Sequence, residues 1–247
     1  MKQTLKVKET TINTRLRGLR AFFNHCISNG YISKKIEILL IKTTREMKET
    51  YTREEIGLLL KKPNLKKCSF AEYRDWAIIS YFIGTGNRLK TVVNIKIGDV
   101  DLYNNFVKLR HTKNRKQQVI PIPESLVHIL MEYLERRGGC PEDWLFCSVF
   151  GGKLDKNTVY QAVRKYNLKR GVEKTSIHLF RYFFAKEYLL GGGDPYRLQK
   201  LLGHSSMEMV KRYLSWFDED LQVDYNKFNP LERILQSSNQ TAIKIKR

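Results

Sequence analysis

Between positions 178 and 213 the chain reads HLFRYFFAKEYLLGGGDPYRLQKLLGHSSMEMVKRY. Four of these residues, His178, Arg181, His204 and Tyr213, are of types that can handle a phosphate ester. Arginine offers a planar fork that donates to two oxygens at once and stays charged. Histidine titrates near neutral pH and can donate to an oxygen or move a proton. A tyrosine hydroxyl can attack and hold a covalent intermediate. Upstream, Arg88 closes an apolar run in the sequence TGNR, and a basic turn carries Lys113, Arg115 and Lys116. Phosphodiester transfer without a metal needs a nucleophile, donors for the charge that grows on the phosphoryl oxygens, and an acid for the leaving alkoxide. The chain can supply all three. Arg88 and Arg181 would clamp the non-bridging oxygens, and His178 and His204 would donate to them or take the nucleophile's proton. Any of the three cations in the basic turn could reach the phosphate.

These residues need helices and turns to converge. His178 and Arg181 are three apart and share a helix face. Gly191, Gly192 and Gly193 end that helix, and Asp194 with Pro195 starts the next as cap and first-turn residue. On one unbroken helix His204 and Tyr213 would point to nearly opposite sides. Gly203 breaks it, and Ser205 with Glu208 has the spacing of a capping box for a further helix. The apolar run DWAIISYFI, 75 to 83, reads as a buried helix ended by Gly84 and Gly86, so that Arg88 emerges from the edge of the core. Thr52 and Glu55 form a capping box ahead of it.

Between 91 and 122 the pattern changes to β-branched runs, TVVNIKI, FVKLR and QQVIPI, separated by turns at Asn104-Asn105 and 112 to 116. They predict a three-stranded antiparallel sheet with Lys113 in the second turn. Helices are expected over 11–29, 125–137 and 157–171, the last carrying Arg164, Lys165, Lys169 and Arg170 as a basic face for DNA. Leu126, Ile129, Leu130, Tyr133 and Leu134 put an apolar stripe on the middle one. The fold class is therefore mainly α with a small antiparallel β-sheet. The charged stretch TTREMKETYT separates a short N-terminal helical piece, 1–46, from the main domain, 47–235. A basic tail, 236–247, follows.

The 247 residues include 45 Lys and Arg against 25 Asp and Glu, a formal charge of +20, which calls for a polyanionic partner. Nucleic acid fits best. No apolar run is long enough to span a membrane and the first residues, MKQTLKVKETT, are polar and charged, so the expectation is a cytoplasmic protein at the nucleoid. Cysteines 26, 68, 140 and 147 form no CxxC pair, so free thiols and no structural zinc are expected.

In their order and intervals, Arg88, Lys113, His178, Arg181, His204 and Tyr213 together resemble the signature of the tyrosine recombinase, or phage integrase, family. The resemblance spans about 11 to 216. It favours Lys113 over its neighbours through its distance to Pro121, and makes it the acid for the leaving 5′ oxygen. It makes Tyr213 the nucleophile of a 3′-phosphotyrosine intermediate that needs neither ATP nor cofactor. It implies a recombinase catalytic domain preceded by part of a helical core-binding domain, the rest of which would lie ahead of Met1. It further implies double-stranded DNA as partner, a monomer in solution, a homotetramer on two DNA sites, and accessory proteins that bend DNA or set direction. The activity would be integration or excision of a mobile element. Two positions depart from the family pattern: Thr91, where an acidic residue is usual, and Tyr182, where a histidine is common. Alternatives are a type IB topoisomerase with the same chemistry and a DNA-binding regulator that keeps the fold alone.

Overall fold

The computed structural model describes residues 7–43, 49–110, 117–204, 206–214 and 231. The described chain forms two compact units, 1–48 and 49–247. In the first unit, helix α1 (Glu9–Ser28) is followed by extended chain. Asn13, though polar, is buried on α1 because its amide pairs with both backbone groups of Ile41, at 2.8 and 2.9 Å. Leu19 and Phe22 of this helix are exposed, and its buried apolar residues are Ile12 and Cys26.

The second unit is helical around a three-stranded sheet. Helix α2 (Arg53–Leu60) starts at the expected capping box, with Thr52 and Glu55 each bonding the other's backbone N–H. Helix α3 (Phe70–Thr85) buries all of Trp76 to Phe82 and lies at the centre of the core. A run apolar on every side has no solvent face to show. The other helices pack around it: α5 (Glu124–Arg137), α6 (Lys156–Lys169) and α7 (Ile177–Leu190). Phe180 of α7 stacks between Phe82 and Tyr51, at centroid distances of 6.1 and 4.5 Å. That fixes α7 one residue before Arg181.

The sheet has the expected number of strands and antiparallel pairing, in the order β1-β2-β3: β1 (Val100–Asp101), β2 (Phe106–Leu109) and β3 (Gln118–Pro121). Val107 opposes Ile120 and Leu109 opposes Gln118, so Val107, Leu109 and Ile120 face the core while Lys108 and Val119 face out. Its first strand differs from expectation. The run TVVNIKI is not a strand: Arg88 starts a short helix, α4 (Leu89–Val92), and Ile97–Asp99 is a 3-10 turn. The cause is local. Asp99 accepts from the Lys96 backbone N–H and turns the chain, and Val92, Val93 and Ile95 are all buried, so the alternation a strand needs is absent.

At the C-terminal end, Gly191 stops α7 and Asp194 caps helix α8 (Pro195–Leu202), accepting from the Arg197 N–H at 2.7 Å, with Pro195 in its first turn. Helix α9 (Glu208–Leu214) follows. Ser205, the expected cap of α9, lies outside the described residues. Ala185, Leu198, Leu202 and Val210 form a second small core that joins α7, α8 and α9.

Candidate active site

Two left-handed glycines organise this region. Gly86 ends α3 with φ 61° and Gly203 ends α8 with φ 61°, a conformation glycine adopts without the clash of a Cβ. Gly86 has a second reason to be glycine: a Cβ there would lie 2.5 Å from Phe184 and 2.9 Å from Leu202. The backbone at the end of α3 therefore touches α7 and α8 directly. Asn87 is held from beneath, donating to the Tyr81 hydroxyl at 3.0 Å. Burial pushes the Tyr81 phenol well above its ordinary pKa, so it stays a neutral partner. The next residue, Arg88, leaves this fixed turn partly exposed.

Arg181 is buried, at 5 % exposure, and a buried cation needs acceptors. It finds them at the two helix ends. Its Nη1 donates to the Gly86 carbonyl at 2.9 Å and its Nη2 to the Leu202 carbonyl at 2.7 Å. Arg88 Nη1 donates to the same Leu202 carbonyl at 3.3 Å and to that of Gly203 at 3.5 Å. The last carbonyls of α8 thus draw both arginines to one place, helped by the negative end of the helix dipole.

The other carbonyls of this turn are also paired. Gln199 and Lys200 accept from the backbone N–H groups of His204 and Gly203. Gln118, at the start of β3, donates its amide to Lys200 and Leu201, at 2.5 and 3.2 Å. Gln199 donates to the His204 carbonyl at 3.3 Å.

His204 is buried just beyond this turn, with Nε2 2.5 Å from Arg181 Nη2. Arginine can only donate, so Nε2 accepts and the ring carries its proton on Nδ1. His178 stands exposed in the first turn of α7, one turn before Arg181. Tyr213 lies in α9, three residues after the fully buried Val210; its side chain is outside the described residues. Lys113, with the basic turn of 111–116, is outside them as well.

Arg88, Arg181 and His204, 116 positions apart at the extremes, are thus brought to one helix end. Not foreseen from the sequence were Gly86 and Leu202 as acceptors, and Asn87, Gln118 and Gln199 as supports. Tyr182 is half-buried against the second core. Of the basic face on α6, Lys169 and Arg170 pair with Glu72 at 2.8 and 3.4 Å, whereas Arg164 and Lys165 are exposed. Among the described residues no three His, Cys, Asp or Glu side chains come together as metal ligands.

Residues 49–219 match the model of the phage integrase family. The chain belongs to that family. It is 29% identical to a tyrosine recombinase of Pseudothermotoga lettingae, covering 95% of this chain and 78% of the relative. With the tyrosine recombinase XerC of Thermodesulfovibrio yellowstonii it also shares 29% identity, over 94% of this chain and 80% of the relative. The crystal structure of XerA recombinase superposes with a TM-score of 0.64 at 25% identity, covering 91% of this chain and 78% of the other. The integrase of the transposon Tn1549, bound to transposon right end DNA, superposes with a TM-score of 0.71 at 20% identity, covering 86% and 77%. The mainly helical fold with its small sheet is that of the tyrosine recombinase catalytic domain, and the chain is an enzyme of the site-specific tyrosine recombinase class.

Proposed function

We propose that this recombinase cuts and rejoins double-stranded DNA through a 3′-phosphotyrosine, and that it serves the integration or excision of a mobile element. The observation that carries the reading is the convergence of Arg88, Arg181 and His204 on the end of α8. Two forked cations and an imidazole at one point are what a phosphate with growing charge requires. The Tyr213 oxygen attacks the scissile phosphorus and its proton leaves to a base, for which His178 is the candidate, because the acceptor nitrogen of His204 is engaged by Arg181. The bond to the 5′ oxygen breaks, and Lys113 supplies the proton that makes it a hydroxyl. A tyrosyl phosphate ester keeps the energy of the broken linkage, so a 5′-hydroxyl from either duplex can reverse the step without ATP.

The partner we assign is duplex DNA, on the charge of +20 and on likeness to recombinases solved with DNA. We assign 1–46 to part of a core-binding domain, 47–235 to the catalytic domain and 236–247 to a basic tail. A monomer that assembles as a tetramer on two sites, accessory DNA-bending proteins and a cytoplasmic place at the nucleoid belong to the same reading. Among the described residues no helix is long and apolar enough to cross a membrane.

Supercoiled plasmids carrying two, one or no copies of the DNA flanking the gene separate strand exchange from swivelling. The reading expects deletion or inversion products only with two sites. Relaxation of all three plasmids at equal rates, with no exchange, would make the enzyme a topoisomerase.

A further inference from the structure

The arginines and His204 depend on the shape of the turn that ends α8, and that turn has a support from outside the helical cluster. Gln118 is the first residue of β3 and lies on the face of the strand that also carries the buried Ile120. It therefore points past the edge of the core towards α8, where it donates to the carbonyls of both Lys200 and Leu201. Its amide oxygen sits over Gly203, 3.0 Å from where a Cβ would be, and that same point is 3.9 Å from Arg88 Nη1. The other limb of the hairpin is tied to the core as well, Arg110 donating to the buried carboxylate of Asp99.

We propose that Gln118 is a positioning residue for the phosphate site. It pairs the two carbonyls next to Leu202, which leaves the Leu202 and Gly203 carbonyls to Arg88 and Arg181 and fixes the turn that presents His204. Without that donor, the Lys200 carbonyl keeps only the Gly203 N–H and the Leu201 carbonyl loses its partner, so both compete for the arginine N–H groups. The arginines then sit lower, towards the helix, and meet the phosphate less well. The property that matters is donation, since an acceptor or an apolar chain of the same length cannot satisfy a carbonyl. This inference rests on the phosphotyrosine reading above.

Gln118→Met keeps length and removes the donor; Gln118→Lys keeps a donor. Both are compared with wild type in single-turnover cleavage of nicked duplexes tiled across the DNA flanking the gene, at saturating protein. DNA affinity and melting temperature are measured alongside. The expected result is a loss of about tenfold or more in cleavage rate for Met and recovery to within about threefold for Lys, a tenfold loss corresponding to about 1.4 kcal/mol. DNA affinity stays within about twofold for Met.

A methylphosphonate at the scissile position, which carries one charge fewer, lowers the demand on the arginines and should shrink the Met defect. A 5′-bridging phosphorothiolate, whose thiol leaving group has a pKa near about 8.5, needs no acid and should leave the defect in place. Equal rates for Met and wild type would overturn the proposal. So would equal defects in Met and Lys, or a defect that vanishes only on the phosphorothiolate, which would put Gln118 with the leaving-group acid. If wild type forms no adduct on any duplex, the phosphotyrosine reading itself falls, and the role of Gln118 with it.

Discussion

Arg88 and Arg181 come from different helices and share one acceptor, the Leu202 carbonyl. The chemistry of each residue could be read from its type, because only a few side chains donate to phosphate or attack it. Their meeting point could not, since it is built from backbone carbonyls, which every residue has. Gln118 is the clearest example: an amide in a polar run, with no periodic signal, becomes informative only when the strand register aims it at α8. Gly86 was legible as a helix stop, whereas its contact with Phe184 and Leu202 was not. That contact makes a prediction. Gly86→Ala forces a Cβ into a left-handed residue, which costs about 1–2 kcal/mol, and pushes Phe184 away for a similar overpacking cost of about 1–3 kcal/mol. Thermal unfolding should show the loss. Because the Gly86 carbonyl also holds Arg181, cleavage measured well below the lowered melting temperature should fall too. A stable variant with wild-type cleavage would show that the turn can be rebuilt.

Helix ends were the most legible elements. Thr52 with Glu55, Asp194 with Pro195, and the glycines after α3 and α8 all carry their reasons in side-chain chemistry. Strand limits were less so: a β-branched run from 91 to 97 folded as a helical turn and a 3-10 turn, because the capping of Lys96 by Asp99 and burial on both sides prevailed over propensity. The basic face on α6 was legible as a charge cluster, but its partner on α3 was distant in sequence. Glu72 lies 97 residues from Lys169. The Lys169 ammonium, with a smaller contribution from Arg170, holds the Glu72 carboxyl below its ordinary pKa despite partial burial. A depressed carboxyl contributes stability above its unfolded pKa of about 4.3 and loses it as pH falls through the folded value. Glu72→Gln should therefore lower stability at pH 7 by roughly 0.5–1 kcal/mol, since the lysine is exposed. The melting curves of variant and wild type should start to converge as pH falls below about 4.3 and meet only once pH lies below the depressed folded value. A difference of constant size across that whole acid range would assign the effect to packing.

At the scale of the whole molecule, the excess of positive charge, 45 Lys and Arg against 25 Asp and Glu, points to the same partner as the residue spacing, a nucleic acid. Charge supplies affinity without sequence information, so the DNA site itself was not legible. The central claim is that this basic, mainly helical enzyme attacks DNA with the Tyr213 oxygen. The direct measurement uses nicked duplexes tiled across both flanks of the gene, incubated with wild type and with Tyr213→Phe and resolved on a denaturing gel. The account predicts a protein-linked DNA band with wild type, none with Tyr213→Phe, and equal DNA binding by the two. A covalent band that survives in Tyr213→Phe would place the nucleophile elsewhere and contradict it.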